Sequence, residues 1–389
     1  MNARRPLRFA TGLAAAATII TVSGVTPAAA HQGGAQRPAG SSHTALFSVL
    51  RTVDVANTPV AVAVDERSGH AFVAGTDRIS VVDAKTGTTL SSISGGVGND
   101  AYAAGPSAVA VDEYTGRALV ARFNADSVAV LDTRSGALLR TVRVGGGPGA
   151  IAIDTRTEHA FVTNFASDSV SMLDAHSGKL LRTIQVGQAP IAASVDQSTG
   201  RVFVASYAAS TVSVLDTSTG LVRATVTVGS HPNDVAVDVV AGRVLTANWD
   251  DGTVSLLDAA SGKVLRTTTV GIGPVAVAVD TRRGRAFVAN YADSSVSVLD
   301  TKTAKLIRTV AVGDSPSAIS IDASTGLAFV ANAGSNTVSV LGSPSSGALW
   351  TAKVGSYPNA VAVAQASDRA LVTNQNDGSL SVLNTVARR

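Results

Sequence analysis

Short apolar runs, separated by polar turn residues, follow one another along the chain from Leu46 to Asn384. Each run is four to six residues long, is rich in Val, Ile, Leu, Phe and Ala, and is bounded by Gly, Asp, Ser or Thr. Runs of this kind are typical of β-strands, and the residues that bound them favour turns. No run has the length or the 3.6-residue spacing of a helix, so the pattern predicts an all-β protein.

The runs belong to a repeated unit, which is clearest between Val270 and Val310. Each unit holds four predicted strands, and a proline marks its start: Pro59, Pro106, Pro148, Pro190, Pro232, Pro274, Pro316 and Pro358. The first interval is 47 residues, and the six that follow are 42 residues each. Four antiparallel strands in such a period are typical of one β-propeller blade. A single blade cannot bury both of its faces, so neighbouring blades must stack and the ring must close.

The units predict an eight-bladed propeller of four-stranded antiparallel blades, with first strands that begin near Val60, Ser107, Gly149, Ile191, Asn233, Val275, Ser317 and Asn359. Leu46 to Val55 matches the fourth strand of the other units but has no complete unit before it. The last unit ends near Asn384 without a clear fourth strand. We therefore expect the N-terminal strand to complete the last blade of a single domain spanning residues 45–389. Ser94 to Gly105 is an inserted loop in the first unit.

The first thirty residues have the features of a secretory signal peptide, residues 1–30. Arg4, Arg5 and Arg8 supply a positive start, Leu13 to Val22 an apolar stretch, and Ala28 to Ala30 a cleavage site of small residues. The apolar stretch is too short for a stable membrane-spanning helix. Residues 31–44, rich in Gly, Gln, Ser and Ala, predict a disordered linker. We expect an exported protein, extracellular, at the cell surface or periplasmic, with no transmembrane segment after signal cleavage.

Composition and charge narrow the possible functions. The chain has 31 Lys and Arg against 28 Asp and Glu, and three of the arginines lie in the predicted signal, so the mature chain has no formal net charge. Overall charge therefore argues against a nucleic-acid partner. The chain has no cysteine, which excludes disulfides and thiolate chemistry. No dinucleotide fingerprint or phosphate-binding loop occurs, and we expect a monomer without a cofactor.

Four units carry the segment FVTN, LVTN or FVAN in the second predicted strand: Phe161–Asn164, Leu371–Asn374, Phe287–Asn290 and Phe329–Asn332. Together with the flanking VGxxP, the Asp after the first strand and the SVLD run, these segments resemble the signature of the YVTN (YncE-like) β-propeller repeat family. The resemblance covers nearly all of Leu46 to Asn384. It implies an exported binding or surface protein without a shared catalytic motif. The family is usually built from seven blades, one fewer than this chain predicts.

Two sets of loops are expected to surround one mouth of the central channel: VGxxP and the loop after each signature asparagine. Aromatic residues are only 4% of the chain, yet five consecutive units place one in the second loop: Phe123, Phe165, Tyr207, Trp249 and Tyr291. They predict a stacking surface for a sugar, an aromatic compound or a peptide. Alternatively, the rings pack between neighbouring blades. The candidate site also includes Arg122, Tyr357, Asn164, Asn248, Asn290 and Asn374. For the asparagines, turn capping is the alternative.

The fifth unit departs most from the repeat. Asp234 replaces an alanine found in other units, and His231 and Asp250 lie in the two loops of the same mouth. Imidazole and carboxylates suit a metal ion or proton transfer. No familiar ligand spacing occurs, however, and solvated loop groups are the alternative, so we assign neither a metal nor a catalytic residue.

From the sequence we expect a non-enzymatic protein that binds a small molecule, a glycan or a protein at the channel mouth. Two alternatives stay open: a metal-assisted hydrolase or lyase, similar to lactonases, and a single-stranded nucleic-acid binding protein. The repeated D-x-x-x-G segments at the opposite face are interpreted as structural turns, because Asp accepts backbone hydrogen bonds there and Gly supplies a positive φ.

Overall fold

The computed structural model describes residues 47–94, 106–342 and 348–385. These residues form eight four-stranded antiparallel sheets. The first strand of each sheet contacts the first strand of the next, and that of the eighth contacts that of the first, so the sheets are blades of a closed ring. The prediction of an eight-bladed β-propeller is confirmed.

The predicted signal peptide, the linker at 31–44 and residues 95–105 of the inserted loop lie outside the described residues. Within the described ranges, no helix has the length and apolar character needed to cross a membrane.

Each blade is numbered along the chain, and its strands run from the innermost to the outermost. Blade 1 consists of Ala61–Asp65, His70–Ala74, Arg78–Asp83 and Thr89–Ser94, and blade 2 of Pro106–Asp112, Arg117–Arg122, Ser127–Asp132 and Leu138–Arg143. Blade 3 consists of Pro148–Asp154, His159–Asn164, Ser169–Asp174 and Leu180–Gln185, and blade 4 of Pro190–Asp196, Arg201–Ser206, Thr211–Asp216 and Val222–Thr227. Blade 5 consists of Pro232–Asp238, Arg243–Asn248, Thr253–Asp258 and Val264–Thr269, and blade 6 of Pro274–Asp280, Arg285–Asn290, Ser295–Asp300 and Leu306–Ala311. Blade 7 consists of Pro316–Asp322, Leu327–Asn332, Thr337–Leu341 and Ala348–Lys353, and blade 8 of Pro358–Ala364, Arg369–Asn374, Ser379–Asn384 and the N-terminal strand Val49–Asp54. Short 3₁₀ helices lie at Phe123–Ala125, Phe165–Ser167 and Gln365–Ser367.

The hydrophobic core lies between neighbouring blades. Phe161 of blade 3 shares one buried cluster with Val195 and Val204 of blade 4. The same strand position is completely buried in other blades, at Phe72, Phe203 and Phe329. Truncating a ring buried in this way costs about 3 to 5 kcal/mol. The apolar residue of the repeat signature therefore holds each blade to the next.

The ring is closed by the two ends of the chain. Val53 in the N-terminal strand pairs with Leu380 in the third strand of blade 8, as predicted from the sequence. At the opposite face, the Glu66 carboxylate of blade 1 accepts hydrogen bonds from the backbone N–H groups of Gln365 and Ala366, at 2.6 and 2.9 Å. Glu113 of blade 2 contacts Glu66 N–H of blade 1 in a similar way, at 3.1 Å, so this carboxylate contact to the turn of the preceding blade is present at two junctions. At the closure it reaches a turn that has Ala364 where the other blades carry an aspartate.

The face opposite the mouth consists of aspartate–glycine turns. Asp196 Oδ1 accepts hydrogen bonds from the backbone N–H groups of Ser198 and Thr199, at 2.9 and 3.2 Å. Gly178 has a φ of +69°, and a Cβ atom built on it would lie 2.7 Å from Val130 Cγ2 of the preceding blade. The turns are structural, and some of their glycines are needed for blade packing as well as for backbone conformation.

Candidate functional site

The mouth is built from two loops per blade, which we call the mouth loops: the entry loop before the first strand and the loop between the second and third strands. Where the structure describes it, the entry-loop residue before the proline has left-handed backbone, with φ between 41° and 65°, at Thr58, Gly147, Ala189, His231, Gly273, Ser315 and Tyr357. This conformation costs a residue other than glycine about 1 to 2 kcal/mol. Blades 3 and 6 use glycine, so the turn itself needs no side chain. His231 and Tyr357 therefore present their side chains at a cost to stability.

The aromatic residues of the mouth lie across the blade junctions. Phe123 lies against Gly147 of the next blade, since a Cβ atom on Gly147 would be 3.2 Å from Phe123 Cζ. Trp249 lies against Gly273 in the same way, at 3.3 Å. The rings thus reach the left-handed residue of the neighbouring entry loop, which fixes their position on the mouth.

Several of these rings also contact one another. The Phe123 and Phe165 centroids are 6.3 Å apart, and those of Trp249 and Tyr291 are 5.8 Å apart. All four side chains are half-buried, as is Tyr207. Packing between blades, one of the two interpretations from the sequence, is therefore present, and part of each residue stays open to solvent at the mouth.

The fifth blade holds an imidazole–carboxylate pair. His231 Nδ1 lies 2.6 Å from Asp250 Oδ2, and the His231 ring lies 4.5 Å, centroid to centroid, from the Tyr207 ring. Burial raises the pKa of the Tyr207 hydroxyl, and the nearby negative charge of Asp250 raises it by a smaller amount. The three side chains therefore form one cluster at the junction of blades 4 and 5.

Asp234 does not join this cluster. It is 1% exposed, and its Oδ2 accepts a hydrogen bond from the backbone N–H of Val277 in blade 6, at 2.9 Å. Its Oδ1 accepts from the N–H of Val235 at 2.8 Å. Asp234 thus joins two inner strands beneath the surface. Among the described residues, no group of three or more His, Asp or Glu side chains is placed to hold a metal ion.

The signature asparagines lie below the mouth surface. Asn164 is fully buried, and its Nδ2 donates to Ser169 Oγ and Ser171 Oγ, both at 3.0 Å. The same pair of hydroxyl contacts, five and seven residues further along the chain, holds Asn248, Asn290 and Asn374. Their amides therefore fix the end of the second strand, and their burial keeps these side chains away from the surface that a ligand would meet.

Two further candidate residues differ in exposure. Arg122, which takes the asparagine position in blade 2, is 7% exposed, and burial lowers the pKa of its guanidinium group. Tyr357 is half-buried. Its burial, and to a smaller extent its hydrogen bond with Tyr291, raise the pKa of its hydroxyl to about 12. Tyr357 and Tyr291 therefore join blades 8 and 6 at the mouth through their side chains.

A feature that sequence reasoning missed is the acidity of the mouth loops. The described mouth loops contain eight aspartates and no lysine or arginine: Asp77, Asp126, Asp168, Asp250, Asp251, Asp293, Asp314 and Asp377. Many of them hold an entry loop; for example, Asp126 accepts from Gly147 N–H at 2.9 Å and Asp293 from Ile272 N–H at 2.6 Å. In the part of the chain that the structure describes, the lysine and arginine residues nearest to the mouth loops lie at the adjoining strand ends, at Arg78, Arg122, Arg143 and Lys353. The sequence feature that could have predicted this acidity is an aspartate that recurs three or four residues after the signature asparagine.

No protein-family model and no curated protein matches this chain. Solved structures do match it. Hydrazine synthase of Kuenenia stuttgartiensis is 17% identical with a TM-score of 0.63, over 75% of this chain and 99% of that one. The computationally designed protein Ika8 is 18% identical with a TM-score of 0.69, over 86% of this chain and 98% of that one. At this identity the similarity concerns the β-propeller fold alone.

Proposed function

We propose that this protein is a non-enzymatic binding protein that recognises its ligand at the channel mouth. The observation that carries the proposal is the row of half-buried aromatic side chains placed across the blade junctions. Their neighbours hold these rings in place before any ligand arrives, which lowers the entropic cost of binding. Surfaces of this kind, part apolar and part polar, suit a small molecule, a glycan or a protein segment.

We further propose that the protein is exported and belongs to the YVTN (YncE-like) repeat family. Export is supported by the charged, apolar and small-residue segments of residues 1–30. The family is supported by the FVTN-like segments, which occupy the second strand of their blades.

A stability screen tests the binding face. The purified full chain is heated with a panel of sugars, aromatic metabolites and short peptides, since a ligand that binds only the folded state raises the melting temperature. The shift should be lost in Trp249→Ala and kept in Tyr114→Ala, because Tyr114 is an aromatic residue that is 66% exposed on the opposite face. A shift that survives Trp249→Ala combined with Tyr207→Ala, or disappears in Tyr114→Ala, would refute the assignment of the face.

One observation favours a second function, hydrolysis. Asp250 contacts His231 at Nδ1 and thereby leaves Nε2 as the nitrogen available for a general base. A metal-assisted version lacks support, because the described residues place no suitable ligand group together. Turnover of ester or lactone substrates that is abolished in His231→Gln would establish this function. For nucleic acids, the acidic mouth loops are unfavourable, because carboxylates repel phosphates.

A further inference from the structure

The charge of the mouth contrasts with that of the chain as a whole. Outside residues 1–30, acidic and basic residues are equal in number, yet the described mouth loops carry aspartates without a lysine or arginine. Arg78, which adjoins the mouth loops, pairs with Asp77 at 3.2 Å, and the other aspartates leave an excess of negative charge at the mouth. A surface with an excess of one sign attracts ligands of the opposite sign and raises their association rate. The inference rests on the proposed binding at the mouth and concerns the chemistry of the ligand.

Carboxylates and aromatic rings are interleaved at the mouth. Asp250 follows Trp249 directly in the chain, and Asp293 lies two residues after Tyr291. Trp249 and Tyr291 contact each other at 5.8 Å. Guanidinium and ammonium groups are attracted to aromatic faces, and a guanidinium group both stacks on rings and pairs with carboxylates. This combination selects a cation that carries apolar or planar surface rather than a simple hydrated ion.

The extent of the surface indicates the size of the ligand. The mouth-loop aspartates are distributed over all blades except blade 4, which has Ser210 instead. The two rings of each pair lie 4.5 to 6.3 Å apart, centroid to centroid, so they contact each other rather than standing apart on two sides of one small ion. A ligand with several cationic groups along an extended backbone matches both the touching rings and the wide arc of carboxylates.

We propose that the mouth binds a basic segment of a protein partner, with arginine or lysine side chains lying on the rings of Tyr207, Trp249 and Tyr291 and paired with Asp250 and Asp293. The segment lies over the blade 4 to blade 6 side of the mouth, where rings and carboxylates are adjacent. Its remaining cationic groups are attracted by the aspartates of the other mouth loops.

The test uses isothermal titration calorimetry of the full chain with a peptide of alternating arginine and serine. The control peptide replaces each arginine by citrulline, which keeps the shape and removes the charge. We expect the citrulline peptide to bind at least about tenfold more weakly, and an increase in salt from about 20 to about 200 mM to weaken the arginine peptide about tenfold as screening grows. At low salt, the double variant Asp250→Asn with Asp293→Asn should bind the arginine peptide about tenfold more weakly than the unchanged protein does, because two ion pairs are lost.

A matched variant removes the same charge from the opposite face. Glu158 and Asp368 are exposed in turns there, and Glu158→Gln with Asp368→Asn should change the affinity by less than about twofold. Equal weakening by both double variants, equal binding of the two peptides, no binding of the arginine peptide, or equally tight binding of the tetramethylammonium ion would each overturn the proposal. If a sugar or neutral aromatic compound still gives a stability shift that requires Trp249, binding at the mouth stands and only the cationic ligand is refuted.

Discussion

The contact between a turn glycine and the preceding blade makes a sharp test of how the ring is held together. Gly178 closes the turn between the third and fourth strands of blade 3, and a Cβ atom there would meet Val130 Cγ2 at 2.7 Å. Gly242 closes a turn between first and second strands and also has a positive φ, +64°, but no atom lies within 4 Å of its Cβ position. Both glycines therefore need a positive φ, but only Gly178 lies against a side chain of the preceding blade.

Alanine at the two positions should therefore have different effects. The left-handed backbone costs alanine about 1 to 2 kcal/mol at both sites. At Gly178, forcing a methyl group against a packed side chain adds about 1 to 3 kcal/mol. We expect Gly242→Ala to lower the free energy of unfolding by about 1 kcal/mol and Gly178→Ala by about 3 kcal/mol, measured by equilibrium unfolding in urea.

Another blade of the protein shows which neighbouring residue accommodates an alanine at the position of Gly178. Blade 6 has Ala304 at the position of Gly178, with a φ of +51°, and this alanine is fully buried in one cluster with Leu256, which occupies the position of Val130. Combining Gly178→Ala with Val130→Leu should thus recover at least about 1 kcal/mol of the loss. Equal losses at the two glycines, or strict additivity in the double variant, would refute the reasoning.

Three further outcomes are expected. Glu66→Ala should cost about 2 kcal/mol in urea unfolding, because two charge-assisted hydrogen bonds across the closure are lost, whereas Glu158→Ala on an exposed turn should change stability little; equal effects would contradict this role of Glu66. In an absorbance titration, Tyr357 should ionise near pH 12, and Tyr291→Phe should lower that midpoint. Because the folded pKa is raised, the stability that protonated Tyr357 contributes is complete below about pH 10 and is lost as the pH rises through its folded pKa; an unchanged midpoint in Tyr291→Phe would contradict the hydrogen bond. Deleting the N-terminal strand should expose an unpaired edge and produce larger species in size-exclusion chromatography; an unchanged elution volume would contradict closure by that strand.

The fold was predictable because each blade repeats its local pattern. Alternation with a period of two residues, Gly and Asp turns, and the proline marker all agree, so strands and blade number were readable. Closure was predictable because the orphan strand at Leu46 to Val55 matched the strand that the last unit lacks. The blade-to-blade role of Gly178 was not, because it depends on a contact between units.

The site was only partly predictable. The aromatic rings do lie at one mouth. The sequence did not indicate, however, that the entry-loop residue before each proline adopts left-handed backbone, which gives His231 and Tyr357 their positions. For Asn164 the sequence left both ligand binding and a structural role open, although the hydroxyls of Ser169 and Ser171, which accept its hydrogen bonds, follow it at fixed spacing. Polarity near a mouth does not distinguish a side chain at the surface from one that supports the surface.

The way the ring closes also determines the orientation in which the protein can be attached to something else. Val49 pairs with Leu383, and Asn384 N–H donates to Ser48 carbonyl oxygen at 3.0 Å, so the two described chain ends are neighbours in blade 8. Both lie at the face opposite the mouth, since a fourth strand begins there and a third strand ends there. A fusion, tag or solid support joined directly at residue 47 or residue 385 therefore leaves the mouth pointing away from it. A short linker between residues 47 and 385 would allow new termini to be opened in an exposed opposite-face turn that makes no blade contact, such as the turn at Gly242.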